Sequence, residues 1–242
     1  QRPALEEITP QVDLNWLQWQ YPNRILADLP SKVTATQMKG RLLDAEVAEE
    51  TSELPMGGDA FERPRFEQRE RGLTPAQQGS AMHSVMQLMD LDQGSDAESV
   101  TQEVQRLIQG GWLTEQQGAA VDPEQIAAFW VSDLGRAARS TVNLRREFKF
   151  SVLMPANRYQ PEAPESETML LQGVVDCCFE TEAGLTVIDF KTDRVSPKML
   201  TERAESYRGQ IELYSEALEE MTGKPVVRKI LWFFTAKRGI AL

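Results

Sequence analysis

Two acids and a lysine stand close together in "GVVDCCFETEAGLTVIDFKTD", the stretch from Gly173 to Asp193. Asp176 lies in its first half, and Asp189 and Lys191 in its second. The stretch reads as two apolar strands joined by the short turn "TEAG". A hairpin would therefore carry Asp176 towards Asp189, since paired strands lie about 4.8 Å apart. Along "IDFK" side chains alternate, so Asp189 and Lys191 share one face and Ile188 and Phe190 take the other. Two carboxylates at that range repel, and both ionise at neutral pH only with a cation between them. Lys191 alone can be that cation, in a structural ion pair. A divalent metal would do it better and leave Lys191 to hold a water or a phosphate. Carboxylate oxygens on rigid strands suit Mg²⁺ or Mn²⁺. The hairpin by itself is compatible with both.

Other residues could complete such a site. His83 is the sole histidine of the chain and shares a small, polar helix face with Ala76, Gly79, Ser80 and Gln87. A lone histidine is usually surface or satisfied core; small residues one turn before it instead suggest close approach of another segment, and an imidazole ligand tilts the donor set towards Mn²⁺. In "LRREFKFSVLM" alternation puts Phe148, Phe150 and Val152 on one face and Arg145, Glu147, Lys149 and Ser151 on the other. A solvated edge-strand glutamate is the plainer account of Glu147 taken alone. "SYRGQIELYSEAL" sets Tyr207, Gln210 and Tyr214 on one side of a helix. The tyrosines belong to an apolar stripe and read as core, whereas Gln210 beside it could orient a phosphate or a water. Cys177 and Cys178 are adjacent and supply neither a disulfide framework nor a four-cysteine metal site.

The elements that must position these residues follow from caps and periods. Thr74-Pro75 opens a helix to about residue 91. Further helices are expected at 96–109, stopped by Gly110-Gly111, at 114–119 and at 122–140. Strands follow from 145, at 168–180 and at 185–191. A helix at 199–222 with a regular apolar stripe ends at "GKP", and "VVRKILWFFTAKR" is a last strand. The order is α-β-β-β-α-β. Upstream, "SKVTATQMKGRLLDAEVAEE" offers Ser31 or Thr34 as the cap of a short helix. "TSELPMGGDAFERPRFEQRERG" has no apolar period and reads as a linker. Residues 1–72 are thus expected to form an N-terminal segment and charged linker, and residues 73–242 the compact domain.

At 242 residues with 41% hydrophobic and 26% charged content, the chain suits one sizeable domain plus an attached segment. Its apolar runs, such as "ILWFF", are far short of the roughly 20 residues that span a bilayer. No basic-then-apolar signal pattern is seen, so a cytoplasmic location is expected. The net charge of −11 is unevenly spread: 12 basic against 22 acidic residues in 1–140, but 14 against 15 in 141–242. Arg145, Arg146, Lys149, Lys191, Arg194, Lys198, Arg203 and Arg208 surround the hairpin, enough cations to meet several phosphates, although a mixed solvated surface also explains them.

Taken in order, His83, Glu147, "GVVD" ending at Asp176, "DFK" over Asp189–Lys191 and "QIELY" from Gln210 to Tyr214 resemble the RecB-family nucleases of the restriction-endonuclease-like PD-(D/E)XK group. That family's histidine motif, GxxD, D-x-K and Q-x-x-x-Y come in the same succession. D-x-K alone is weak, whereas the full set is specific. "PSKVTATQMK", "RPRFEQRERGLTPAQQGSAMH" and "LRREFKFSV" are similar to the nuclease region of AddA-type proteins of bacterial AddAB helicase–nucleases. The sequence contains no Walker A loop and no four-cysteine iron–sulfur staple.

The resemblance implies an α/β fold with a restriction-endonuclease-like core, a mixed sheet flanked by helices and extra N-terminal helices. It implies His83, Asp176 and Asp189 as side-chain metal ligands, with the Phe190 backbone carbonyl as a fourth. Lys191 would position the attacking water and offset phosphate charge. Glu147 would bind metal-bound waters or a second ion, and Gln210 and Tyr214 would steady the site or the scissile phosphate. The implied cofactor is Mg²⁺ or Mn²⁺, without an iron–sulfur cluster. The implied partners are single-stranded DNA, the helicase region of a parent chain and an AddB-type partner in a heterodimer, with no membrane. The implied reaction is phosphodiester hydrolysis in double-strand-break repair and recombination. Rival readings are a non-catalytic docking or DNA-holding module and a stand-alone Cas4-like exonuclease; the missing cysteines weigh against the latter.

Overall fold

The computed structural model describes residues 24–27, 29–35, 37, 38 and 73–242. A single helical turn, α1 (Arg24–Ala27), and a short strand, β1 (Lys32–Thr34), come first. Then follow α2 (Pro75–Leu88), α3 (Ala97–Gln109), α4 (Glu115–Ala120), α5 (Pro123–Val131) and α6 (Asp133–Ser140). Thr74, Asp96 and Thr114 each accept a hydrogen bond from the backbone N–H of the third residue of their helix, whose side chain in turn accepts from the cap residue's own N–H. These reciprocal caps satisfy donors that a helix start leaves orphaned. Strands β2 (Arg145–Pro155), β3 (Thr168–Thr181) and β4 (Gly184–Lys191) come next, then α7 (Leu200–Glu205), α8 (Arg208–Thr222), β5 (Val226–Phe233) and β6 (Arg238–Ala241). No helix among the described residues is long and apolar enough to cross a membrane.

One mixed sheet of six strands is built around β3. β2 runs antiparallel along one edge of β3, from Arg145 opposite Cys178 to Pro155 opposite Thr168. The other edge is divided: β1 pairs in parallel at Leu170–Gln172, and β4 pairs antiparallel at Cys177–Thr181. Between those two partners, residues 173–176 carry no ladder on that edge among the described residues. There β3 and β4 part, and Asp176 and Asp189 sit at the fork. β4 then pairs in parallel with β5, and β5 antiparallel with β6. All eight residues of β4 are buried, as a strand covered on both faces must be. Helices α2 to α6 cover one face over Cys177, Phe179, Ile188, Phe190 and Trp232. Helices α7 and α8 cover the other over Phe150, Leu171, Val175, Val187 and Leu231.

The fold class agrees with the expectation, and its elements differ in four places. Lys32–Thr34 form a strand where only a helix start was expected. Thr34 does cap, since its Oγ1 accepts from Gln37 N, yet Val33, Ala35 and Met38 are buried in the sheet's core. Val33, Ala35 and Met38 therefore help complete the compact unit. The expected 122–140 helix breaks at Ser132, which ends α5 by donating to the Phe129 carbonyl and starts α6 by accepting from Gly135 N. The 199–222 helix breaks at Ser206-Tyr207, and the last strand turns back after Phe233 to give β6. Gly223, at φ +67°, ends α8 in the left-handed conformation that favours glycine. Residues 1–23 and the expected linker over 51–72 lie outside the described residues.

Candidate active site

Three elements converge at the fork: α2 brings His83, β2 brings Glu147 and β3 brings Asp176. Their ligand atoms all lie within 4.8 Å of one another. His83 Nδ1 stands 3.4 Å from Asp176 Oδ1 and 3.8 Å from Glu147 Oε1. The second Asp176 oxygen accepts from Phe190 N at 2.7 Å, bridging the gap where β3 and β4 cease to pair. On the other side of β4, Asp189 and Lys191 face α8, as alternation requires. Lys191 Nζ lies 2.8 Å from Asp189 Oδ2 and donates to Gln210 Oε1 at 3.1 Å, and Gln210 Nε2 donates to the Tyr214 hydroxyl at 2.8 Å. Glu147, given the looser role by resemblance, is thus in direct reach of His83 and Asp176. Asp189 instead turns to Lys191.

A slip in strand alternation makes this possible. Glu147 takes a left-handed backbone, φ +50°, which costs a residue bearing a Cβ about 1–3 kcal/mol. Arg146 and Glu147 consequently both face α2: Arg146 Nη1 donates to the Met86 and Met89 carbonyls, while Glu147 meets His83. Arg145 is left on the opposite face, over the Phe148 ring, rather than beside Glu147 as strict alternation expects. On β3 the same slip occurs alongside. Asp176 and Cys177 both point to the α2 side, while Val175 and Cys178 belong to the α8 core.

Electrostatics divide the carboxylates. Burial disfavours charge on the His83 imidazole, but Asp176, then Glu147 and Asp189, overcome it and raise its pKa to about 10. Burial would raise Asp176 too, yet His83, the Phe190 N–H and Lys191 together hold it below the usual carboxylate range. Asp189 moves the other way, because burial and the Asp176 charge outweigh Lys191. Asp189 Oδ2 is also buried without a well-directed hydrogen bond, despite its closeness to Lys191. Carboxylates, one imidazole and an unsatisfied buried oxygen are a donor set that fits a hard divalent cation. His83⁺ stands among these acids as a cation would.

A family model described as the PD-(D/E)XK nuclease superfamily matches residues 60–240. The chain belongs to that superfamily. A relative from Desulforamulus reducens, named as a subunit of an ATP-dependent helicase/nuclease, is 38% identical over 220 residues, which is 90% of this chain and 18% of the relative. Proteins of the same name from Thermoanaerobacter sp. and Bacillus velezensis are 37% and 34% identical over 221 and 239 residues, 90% and 93% of this chain. The chain spans only 18% and 19% of those two relatives as well.

Within this PD-(D/E)XK domain some residues that matter escaped the sequence pattern. Arg146, counted there among phosphate-facing cations, ties the C-terminal carbonyls of α2 to β2. Tyr207, taken as core, carries the Lys191 ammonium 3.9 Å from its ring centroid. Asp193 and Arg203 hold the Tyr207 hydroxyl. The spacing of Arg203 one helical turn before Tyr207 was the available signal. The two cysteine thiols of this nuclease domain are buried and free, and burial pushes both upwards, Cys178 to about 11. Buried thiols with raised pKa are poor nucleophiles.

Proposed function

We propose that this chain is the divalent-metal-dependent DNA nuclease domain of a longer helicase–nuclease polypeptide. It hydrolyses phosphodiester bonds of single-stranded DNA delivered by the motor region, in the processing of broken DNA ends. The observation that carries this is the meeting of His83, Glu147 and Asp176 at the fork, with the Asp189–Lys191 pair beside it. The names of the relatives support the motor, and their naming as subunits supports assembly with another subunit; an AddB-type partner and a cytoplasmic location are part of the proposal. His83, Asp176, Asp189 and the Phe190 carbonyl would hold the metal, Mg²⁺ or Mn²⁺, with Glu147 in reach of the same position. A bound divalent cation would polarise a phosphoryl oxygen and supply hydroxide near neutral pH.

The protein's own groups do the remainder. Water attacks phosphorus and one P–O ester bond breaks, leaving a phosphate monoester and a hydroxyl. Lys191, steadied by Gln210, holds the attacking water and offsets phosphate charge; Tyr214 fixes Gln210 from behind. Tyr214 stays a neutral phenol because burial, and then the nearby Asp189 and Asp176 charges, push its pKa up. The deciding experiment is cleavage of end-labelled single- and double-stranded DNA with Mg²⁺. The wild-type chain is expected to cut single strands preferentially, and Asp189→Ala and Lys191→Ala to lose at least about 100-fold in rate. Undiminished cleavage in chelator, or by Asp189→Ala, would refute the proposal.

A further inference from the structure

We propose that Tyr207 is a positioning residue for Lys191, its ring forming the third wall of a cradle that fixes the lysine ammonium. This rests on the role given to Lys191 above. An ammonium has three N–H donors and no acceptor. Around Lys191 Nζ stand three partners: Asp189 Oδ2 at 2.8 Å, Gln210 Oε1 at 3.1 Å, and the Tyr207 ring with its centroid at 3.9 Å. The face of an aromatic ring is its negative side, and a desolvated cation over it is held more firmly than an exposed one. Both groups are buried here, Tyr207 completely.

The ring is itself locked. The Tyr207 hydroxyl donates to Asp193 Oδ2 at 2.8 Å and accepts from Arg203 Nη2 at 2.9 Å, while Arg203 Nε donates to the same Asp193 oxygen at 3.0 Å. Asp193 lies two residues beyond Lys191, so the chain leaving β4 anchors the ring that holds the lysine at its end. Asp189, whose Oδ2 lacks a well-directed hydrogen bond, is the least committed of the three walls. Tyr207 and Gln210 keep Lys191 in register whichever partner Asp189 takes. Core packing alone accounts for the buried ring of Tyr207 but not for a cation on its face.

The test is made on the 242-residue chain with phenylalanine, then its 4-fluoro, 3,5-difluoro and 3,4,5-trifluoro analogues, at position 207. Fluorine drains the ring face of charge at nearly constant shape. Tyr207→Phe, which keeps the ring and loses the hydroxyl lock, is the baseline, and from it kcat is expected to fall stepwise by about tenfold across the fluorinated series. KM for single-stranded DNA and Mn²⁺ affinity should stay level, and the series should be flat on a Lys191→Ala background. In the metal-free protein, NMR should find the Lys191 ε-methylene protons shifted upfield by the ring in wild type and Tyr207→Phe, and not in Tyr207→Leu. A flat series in a cleaving wild type, or Lys191 signals at ordinary positions, overturns this inference alone. A wild type that cleaves no DNA with Mg²⁺ or Mn²⁺ overturns the nuclease reading and, with it, the catalytic part of this one.

Discussion

His83 reports directly on the state of the site, because the chain has no other histidine and its imidazole signals are unambiguous. Three carboxylates act on it: Asp176 and Glu147 within 4 Å, and Asp189 further off. Its pKa in the folded, metal-free chain is raised from 6.5 to about 10. A raised histidine pKa stabilises the fold fully below the unfolded value, and that contribution disappears as pH climbs through the folded one. The metal-free protein should therefore lose stability between pH 6.5 and 10, and the His83→Ala variant should show less of this slope in urea titrations. Coordination needs a neutral imidazole, so metal binding at the proposed site would have to displace the proton. Affinity for Mn²⁺ should then rise about tenfold per pH unit between about 7 and 9, with one proton released in calorimetry. An NMR midpoint near 6.5 in metal-free protein would contradict this picture of the triad.

At the scale of elements, α2 is the part whose placement decides whether His83 reaches the fork. Two contacts set it. Arg146 clasps its last carbonyls, and Gly79, one turn before His83, lies so near the chain leaving β4 that a Cβ there would sit 3.0 Å from Thr192 Oγ1. Gly79→Val should push α2 away, costing about 1–3 kcal/mol of stability as overpacking does, and weakening Mn²⁺ binding at least severalfold. A variant equally destabilised with unchanged metal affinity would show that Gly79 serves packing alone. Gly173, in "GVVD", has a similar part on the other face. It leaves room for the Phe150 ring, which in turn packs edge-on against Tyr214. The hairpin was legible in sequence because alternation and a turn are local signals. The left-handed Glu147 was not, since nothing in "RREFK" encodes it; it exists through the paired β3 and the α2 carbonyls that claim Arg146. β1 was illegible for a related reason. Three residues carry little strand propensity, the Thr34 cap signal was stronger, and its partner Leu170–Gln172 lies far along the chain.

Over the whole molecule, the spread of charge bears on how the domain would meet the proposed DNA substrate. The acidity is concentrated in the first 140 residues, whereas the half that contains the fork is almost balanced. Of the cations around the fork, Arg146, Lys191, Arg203 and Arg208 are already engaged by carbonyls or carboxylates, which leaves few for the proposed DNA. The segment after Lys191 offers Arg194 and Lys198, both exposed and with no ion pair among the described residues, followed by the half-exposed Met199. A strand leaving the Asp189–Lys191 pair along this segment would meet two phosphate contacts and little else, so intrinsic affinity is low. A motor in the same polypeptide, as proposed above, would raise the local concentration of the strand and remove the need for more. Binding of single-stranded DNA by the isolated chain, with Ca²⁺ in place of Mg²⁺, should therefore show a shallow salt dependence. Each phosphate contact contributes a slope of about −0.7 in log K against log salt. The Arg194→Gln/Lys198→Gln pair should flatten that slope by about 1.4 and raise KM for cleavage, while kcat at saturating DNA stays within about twofold. An unchanged slope would place the strand on another path, and a collapse of kcat at unchanged KM would move these two cations into the chemistry itself.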